Sequence, residues 1–259
     1  MKKRLKIIVP IVAVIVLLVL FWFWVLAPRV ALKKAIDEFL PSLDKSAEYF
    51  TEFDAKPDFK TKSVNNGFFS VDIPETFILK EEAADVLPLY ITQDMDNYEF
   101  VVLPEEFNDE AVVLMNSRYF EDMENVPDNV DLKSIEKGYK KLGYGIPNTE
   151  YNTYKCIALL KSDDYSFWDL EKAVVFSVTA ILKEIVYYDA ETLYIYEKDD
   201  ICGIIQINRH VNEEANFDGY QVIFEMYSTD DLNTSYTLML GMQSLDDIYA
   251  IINSVEIVK

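Results

Sequence analysis

Nucleophile and base chemistry has little to draw on in this chain, which holds one histidine, His210, and two cysteines, Cys156 and Cys202. A cysteine becomes a nucleophile when a neighbouring base or cation stabilises its thiolate. His210 is arithmetically available to either thiol, but it falls in 208–216, a polar stretch that reads as a solvated loop after a strand. No H-E-x-x-H, G-x-S-x-G, G-x-G-x-x-G or Walker loop occurs. Gly143-Tyr144-Gly145 follows a helix-like run and reads as a helix stop and turn, not as a phosphate cradle. The sequence assigns no catalytic residue, no cofactor and no metal ligand.

Carboxylates are abundant but placed for other work. Glu105/Glu106, Asp163/Asp164, Asp199/Asp200, Asp230/Asp231 and Asp246/Asp247 fall at turns and helix starts, where carboxylates cap and solvate. Asp94-x-Asp96-x-x-Glu99 offers three hard oxygen ligands but lacks the fifth-position Asp or Asn and the turn glycine of a calcium loop. Cys156 and Cys202 both sit in strand-like runs. They can pair as a disulfide, worth about 4 kcal/mol in the chain-entropy model, or pack as two separate buried thiols.

Composition narrows the classes further. The chain has 259 residues, with 24 Lys+Arg against 45 Asp+Glu and a formal charge of −21. Binding nucleic acid by phosphate neutralisation needs the opposite balance. One histidine and two cysteines argue against a dedicated zinc site. A hydrophobic content of 51% excludes a disordered chain.

The elements begin with a basic tail, 1–6, carrying Lys2, Lys3, Arg4 and Lys6. An uncharged apolar run, 7–27, follows and is long enough at about 1.5 Å per residue for a hydrocarbon core of about 30 Å. Trp22 and Trp24 near its far end suit a membrane interface. The competing reading is a cleaved signal peptide, which the length of the run and Pro28 after Val25-Leu26-Ala27 disfavour. The expectation is a signal-anchor in the cell membrane: single-pass, with the N-terminus cytoplasmic and the C-terminal domain outside.

Residues 28–56 read as an amphipathic stalk helix with a stripe of Leu32, Ala35, Ile36, Phe39, Leu40, Leu43, Ala47 and Phe50, kinked at Pro41. Its alternative role is to contact a partner through Phe39 and Leu43. Residues 55–67 read as a linker, and 57–259 as an extracytoplasmic α+β domain. Strands are expected at 68–73, 76–79, 89–92, 98–103, 111–115 and 153–160, and a helix at 134–142. A nearly all-round buried helix is expected at 168–188, because 173–182 carries only Ser177 and Thr179 as polar residues. A hairpin about Lys198-Asp199-Asp200 comes next. Two further strands through Tyr220 and Tyr236 are each expected to have one buried face, before a short helix capped by Ser244 and a last strand, 254–258. Tyr187, Tyr188, Tyr194 and Tyr196 either pack sheet against helix or form a partner surface.

Two segments together resemble a known family. Phe68-Phe69-Ser70-Val71-Asp72-Ile73-Pro74-Glu75-Thr76-Phe77 is similar to the opening hairpin of the PsbP-like α/β/α sandwich. The run from Asp247 to Ile257 is similar to that fold's terminal helix and strand. The resemblance implies an antiparallel sheet with packed helices, and a binding or accessory role without a shared catalytic set. The expected function is a membrane-anchored, non-enzymatic binding or interaction module with a protein or envelope partner. The alternatives are an accessory subunit of a membrane complex and a hydrolase with dispersed catalytic residues. The sequence sets no oligomeric state.

Overall fold

The computed structural model describes residues 22–27, 29–31, 33–34, 43, 45, 47–79, 89–91, 110–115, 139–187, 190–212 and 217–258. Its centre is an antiparallel meander of long strands: β7 (Thr192–Lys198), β8 (Ile201–Asn212), β9 (Phe217–Ser228) and β10 (Asp231–Met242). Alternating β-branched and aromatic residues fit a pleated surface, and short polar turns set the register. Lys198 pairs with Ile201 across Asp199-Asp200, with Asp199 in the left-handed region at φ +52°. Ser228 pairs with Asp231 across the next turn. On one flank β10 is joined by β6 (Ala111–Met115), then β5 (Leu89–Ile91) and β4 (Ile78–Leu79); on the other, β7 is joined by β1 (Glu48–Phe50), the sheet's parallel pairing.

One side of this sheet carries Val222, Phe224, Met226, Leu238, Leu240 and Met242. It is covered by a small sheet of β2 (Thr61–Asn65), β3 (Phe69–Pro74) and β11 (Glu256–Ile257), together with helix α3 (Leu245–Asn253). Ser244 caps α3 by accepting from the Asp247 amide at 3.2 Å. β11 pairs antiparallel with β3, placing Ile257 opposite Phe69. Asn253 closes the layer by accepting from the Phe53 amide at 3.0 Å and donating to its carbonyl at 2.8 Å. Phe53 also stacks on Tyr249 with ring centroids 3.9 Å apart.

The other side of the sheet carries Ile195, Cys202, Ile204 and Tyr227, packed under α1 (Glu150–Leu159). Helix α2 (Leu170–Tyr187) lies beside α1 and shares its core through Val175, Phe176, Ala180, Cys156 and Leu160. The layers are therefore two helices, a large mixed sheet, and a small sheet with one helix.

Several expectations are corrected. Among the described residues no helix is long and apolar enough to cross a membrane. The expected architecture of a transmembrane helix followed by an α/β/α sandwich, with its single-pass, signal-anchor reading, gives way to a sheet-rich α+β fold. The 7–27 run lies largely outside the described residues. Within it, Trp22–Leu26 form a five-residue π-helical piece, a small fraction of the roughly 20 residues a span needs.

Residues 153–160 belong to helix α1, not to a strand. Thr149 caps it by accepting from the Asn152 amide, and Tyr151, Tyr154, Ile157 and Ala158 fall on one helical face. Within the expected stalk, Glu48–Phe50 pair as a strand with β7, and the expected linker contains β2. β9 and β10 are buried on both faces along their inner halves because both sides of the sheet are covered. The strand expected at 98–103 and the start of the helix expected at 134–142 lie outside the described residues. Residues 139–142 are helical and stop at Gly143, whose φ of +87° suits a helix C-terminus.

Candidate interaction surface

Helix α2 is positioned by its own start signals. Asp169 accepts from the Lys172 amide at 3.1 Å, and Ser166 accepts from the Asp169 amide at 3.2 Å. Lys141 bridges Asp169 and Glu171 from the preceding helical turn.

The inward face of α2 is only partly apolar. Thr179 donates to the Val175 carbonyl, and its hydroxyl lies 2.7 Å from that of Tyr139, which burial pushes up to about 12. Lys183 is 0% exposed and donates from Nζ to the carbonyls of Ala158, at 2.9 Å, and Leu160. These carbonyls lie at the C-terminal end of α1, where the helix dipole favours a cation, and the Ala158 oxygen also accepts from the Ala47 amide at 3.2 Å. Burial pulls the Lys183 ammonium down to about 7, and Asp164 opposes the shift. Lys183 is thus a cap that one helix supplies to its neighbour.

The outward face of α2 is apolar and open. Val174, Val178, Ile181 and Ile185 are 55%, 45%, 54% and 66% exposed. Their spacing of four, three and four residues is the row that a helix presents to another helix. Trp168, just before α2, is 68% exposed, with the Arg29 guanidinium 5.8 Å over its ring. Lys33 lies 5.8 Å over the Tyr165 ring, and the Tyr165 hydroxyl donates to the Arg29 carbonyl at 3.4 Å. The helical residues around Arg29 are therefore held at the foot of α2. This face corrects the expected all-round burial of the helix.

The residues singled out from sequence are placed elsewhere. Leu43 is buried with Val175, Phe176 and Leu160. Tyr187 and Tyr196 are core residues, Tyr196 meeting Phe224 edge-on at 5.2 Å. Tyr194 is half-buried against Phe50 and Phe53. Of the expected partner surface these three tyrosines and Leu43 are packing residues, and Phe39 and Tyr188 lie outside the described residues.

Cys156 and Cys202 are free, buried thiols, one on α1 and one on β8. Burial pushes Cys156 up to about 11 and Cys202 up to about 12, which keeps both as inert thiols. His210 is on strand β8, not in a loop. Eight positions along that strand separate it from Cys202, about 26 Å, so no dyad forms between them.

The principal polar cluster on the helix side ties elements together. Glu197 of β7 accepts from Tyr151 at 2.9 Å and from Lys155 at 2.6 Å, and the Lys155 ammonium lies over the rings of Tyr49 and Tyr151. Burial works against the Glu197 charge, but these two donors hold its carboxyl below the usual range. Among the described residues no group of three or more His, Cys, Asp or Glu is arranged to hold a metal ion. Asp94, Asp96 and Glu99 lie outside them.

Fold and surface together define a sheet-rich α+β protein with an uncovered apolar helix face. No known family matches the chain, nor does any curated protein or solved structure. Sequence reasoning missed the α2 face although its 4-3-4 spacing is written in the chain. The signal was masked because the helix is apolar on both sides, and periodicity does not say which side the fold covers.

Proposed function

We propose that this protein is a non-enzymatic interaction module that takes an apolar helix of a partner protein along the outer face of α2. The carrying observation is the exposed row of Val174, Val178, Ile181 and Ile185. Half-exposed β-branched residues at helix–helix spacing on a well-capped helix have a cost in water that docking removes. Trp168 extends the row at one end with an aromatic of the kind enriched in binding hot spots. The reading is supported by the chemistry nearby: both cysteines are buried and protonated, Lys183 caps a helix, and Glu197 is engaged by Tyr151 and Lys155. The acidic balance disfavours nucleic acid as the partner.

The test is co-purification of the full chain against the double variant Val178→Asp/Ile185→Asp. A stoichiometric partner is expected with the wild type and not with the variant, while thermal melts of the two coincide. A partner retained at unchanged stoichiometry by a folded variant would refute the reading.

A further inference from the structure

The row on α2 reads the same from either end. Val174, Val178, Ile181 and Ile185 follow one another by four, three and four residues, a spacing symmetric about the point between 179 and 180. An identical helix laid antiparallel and centred on that point sets Val174 of one copy opposite Ile185 of the other, and Val178 opposite Ile181. Every layer of the seam then holds one valine and one isoleucine, so one interaxial distance packs all of them equally. A parallel pairing would oppose valine to valine at one end and isoleucine to isoleucine at the other. Self-association about a two-fold axis requires a patch that complements itself, and this row does.

The charges beside such a seam agree with it. By helix geometry Glu184 of one copy falls beside Ser177 of the other, not beside a second carboxylate. The last turn of α2 holds no cation of its own. The antiparallel order brings to it Arg29 and Lys33 of the other copy, which stand at the foot of α2 beside Trp168 and Tyr165. The net charge of −21 on each chain acts at longer range and is screened beyond about 8 Å at physiological ionic strength. Two helices alone bury less than the roughly 800 Å² per partner of a standard interface, so the pair forms reversibly with concentration. In dilute solution it dissociates, and substitutions on the row leave the stability of the single chain nearly unchanged.

We infer that the helix taken by the α2 row is α2 of a second copy, in a two-fold antiparallel pair. The inference rests on reading the row as a docking face, and adds that the partner is the chain itself. The experiment mixes full chains carrying Val174→Cys with isotope-labelled full chains carrying Ile185→Cys and oxidises them mildly. The wild type is the control, its two cysteines being buried. The expected product is a disulfide from position 174 of one chain to position 185 of the other. Either variant alone should yield roughly tenfold less, because position 174 and its own copy stand about 16 Å apart along the seam. Sedimentation equilibrium should show dimer rising with concentration for the wild type, and monomer for the folded Val178→Asp/Ile185→Asp variant. A wild type that stays monomeric to about 100 µM would overturn the pair. So would an excess of 174-to-174 disulfides, equal yields of all disulfides, or a dimer unchanged in the double variant. A monomeric chain that captures another protein through the row would overturn the second copy while leaving the row standing as a docking face. Failure of the docking reading itself shows separately, as another protein retained at unchanged stoichiometry by Val178→Asp/Ile185→Asp, and would overturn the pair with it.

Discussion

The two sides of α2 invert the usual rule. Its inward side buries Thr179 and Lys183, whereas its outward side leaves four β-branched residues in water. Burying a lysine is tolerable only where acceptors are supplied, and the end of α1 supplies the carbonyls of Ala158 and Leu160. The polar residues inside are therefore structural, and the apolar residues outside are the ones without a structural task. Burial and importance to the fold go together here, whatever the polarity of the residue.

That contrast can be broken most directly at Phe176, which is fully buried and meets Tyr165 edge-on at 5.5 Å. Phe176→Ala should cost about 3–5 kcal/mol by chemical denaturation. A cost below that of the outer-face variants would show that α2 does not pack as described. Gly203 supplies a reference from the other side of the sheet. A methyl group there would come within 2.3 Å of the Glu225 carbonyl and 2.7 Å of the Phe224 ring. Gly203→Ala should destabilise by about 1–3 kcal/mol, visible as a lowered denaturant midpoint.

Lys183 sharpens the comparison through pH. Unfolded, its ammonium keeps the proton to about 10.4, whereas in the fold burial brings it to about 7. Between these values the unfolded chain binds more protons, so stability should rise with pH, by up to about 1.4 kcal/mol per unit. Below pH 7 both states hold the proton and the burial penalty is fully present. Lys183→Met should flatten the rise between pH 7 and 10; an unchanged slope would show that other groups cause it. The smallest effect belongs to the outer face, where Ile181→Ser should shift stability by no more than about 0.5 kcal/mol. A loss of several kcal/mol in the isolated protein would mean that Ile181 does not stand on an open face as described.

Where local chemistry decides structure, the chain was legible. Ala111–Met115 is a strand as its unbroken apolar run indicates, the Asp199-Asp200 turn joins two strands, and Ser244 caps the helix that follows it. α1 was misread because Thr153, Tyr154, Cys156 and Ile157 favour strand by composition. The cap at Thr149 and the spacing of Tyr151, Tyr154, Ile157 and Ala158 outweigh that preference once the sheet offers a surface. The candidate site was legible as spacing only. Residue type alone does not place a tyrosine on a surface: Tyr187 and Tyr196 fill the core.

The sequence alone determined the strand-rich C-terminal half, the turns and caps within it, the acidic balance and the lack of a catalytic motif, since each depends on neighbours a few residues apart. Tertiary structure decided the rest. It recruited Glu48–Phe50 to a strand 146 positions away, closed the small sheet by pairing the start of the domain with its end, and separated the two cysteines into different environments. It also settled which of two apolar faces of α2 would be covered. Burial is a property of what lies opposite a residue, and a linear pattern carries the period of a face but not the identity of its cover.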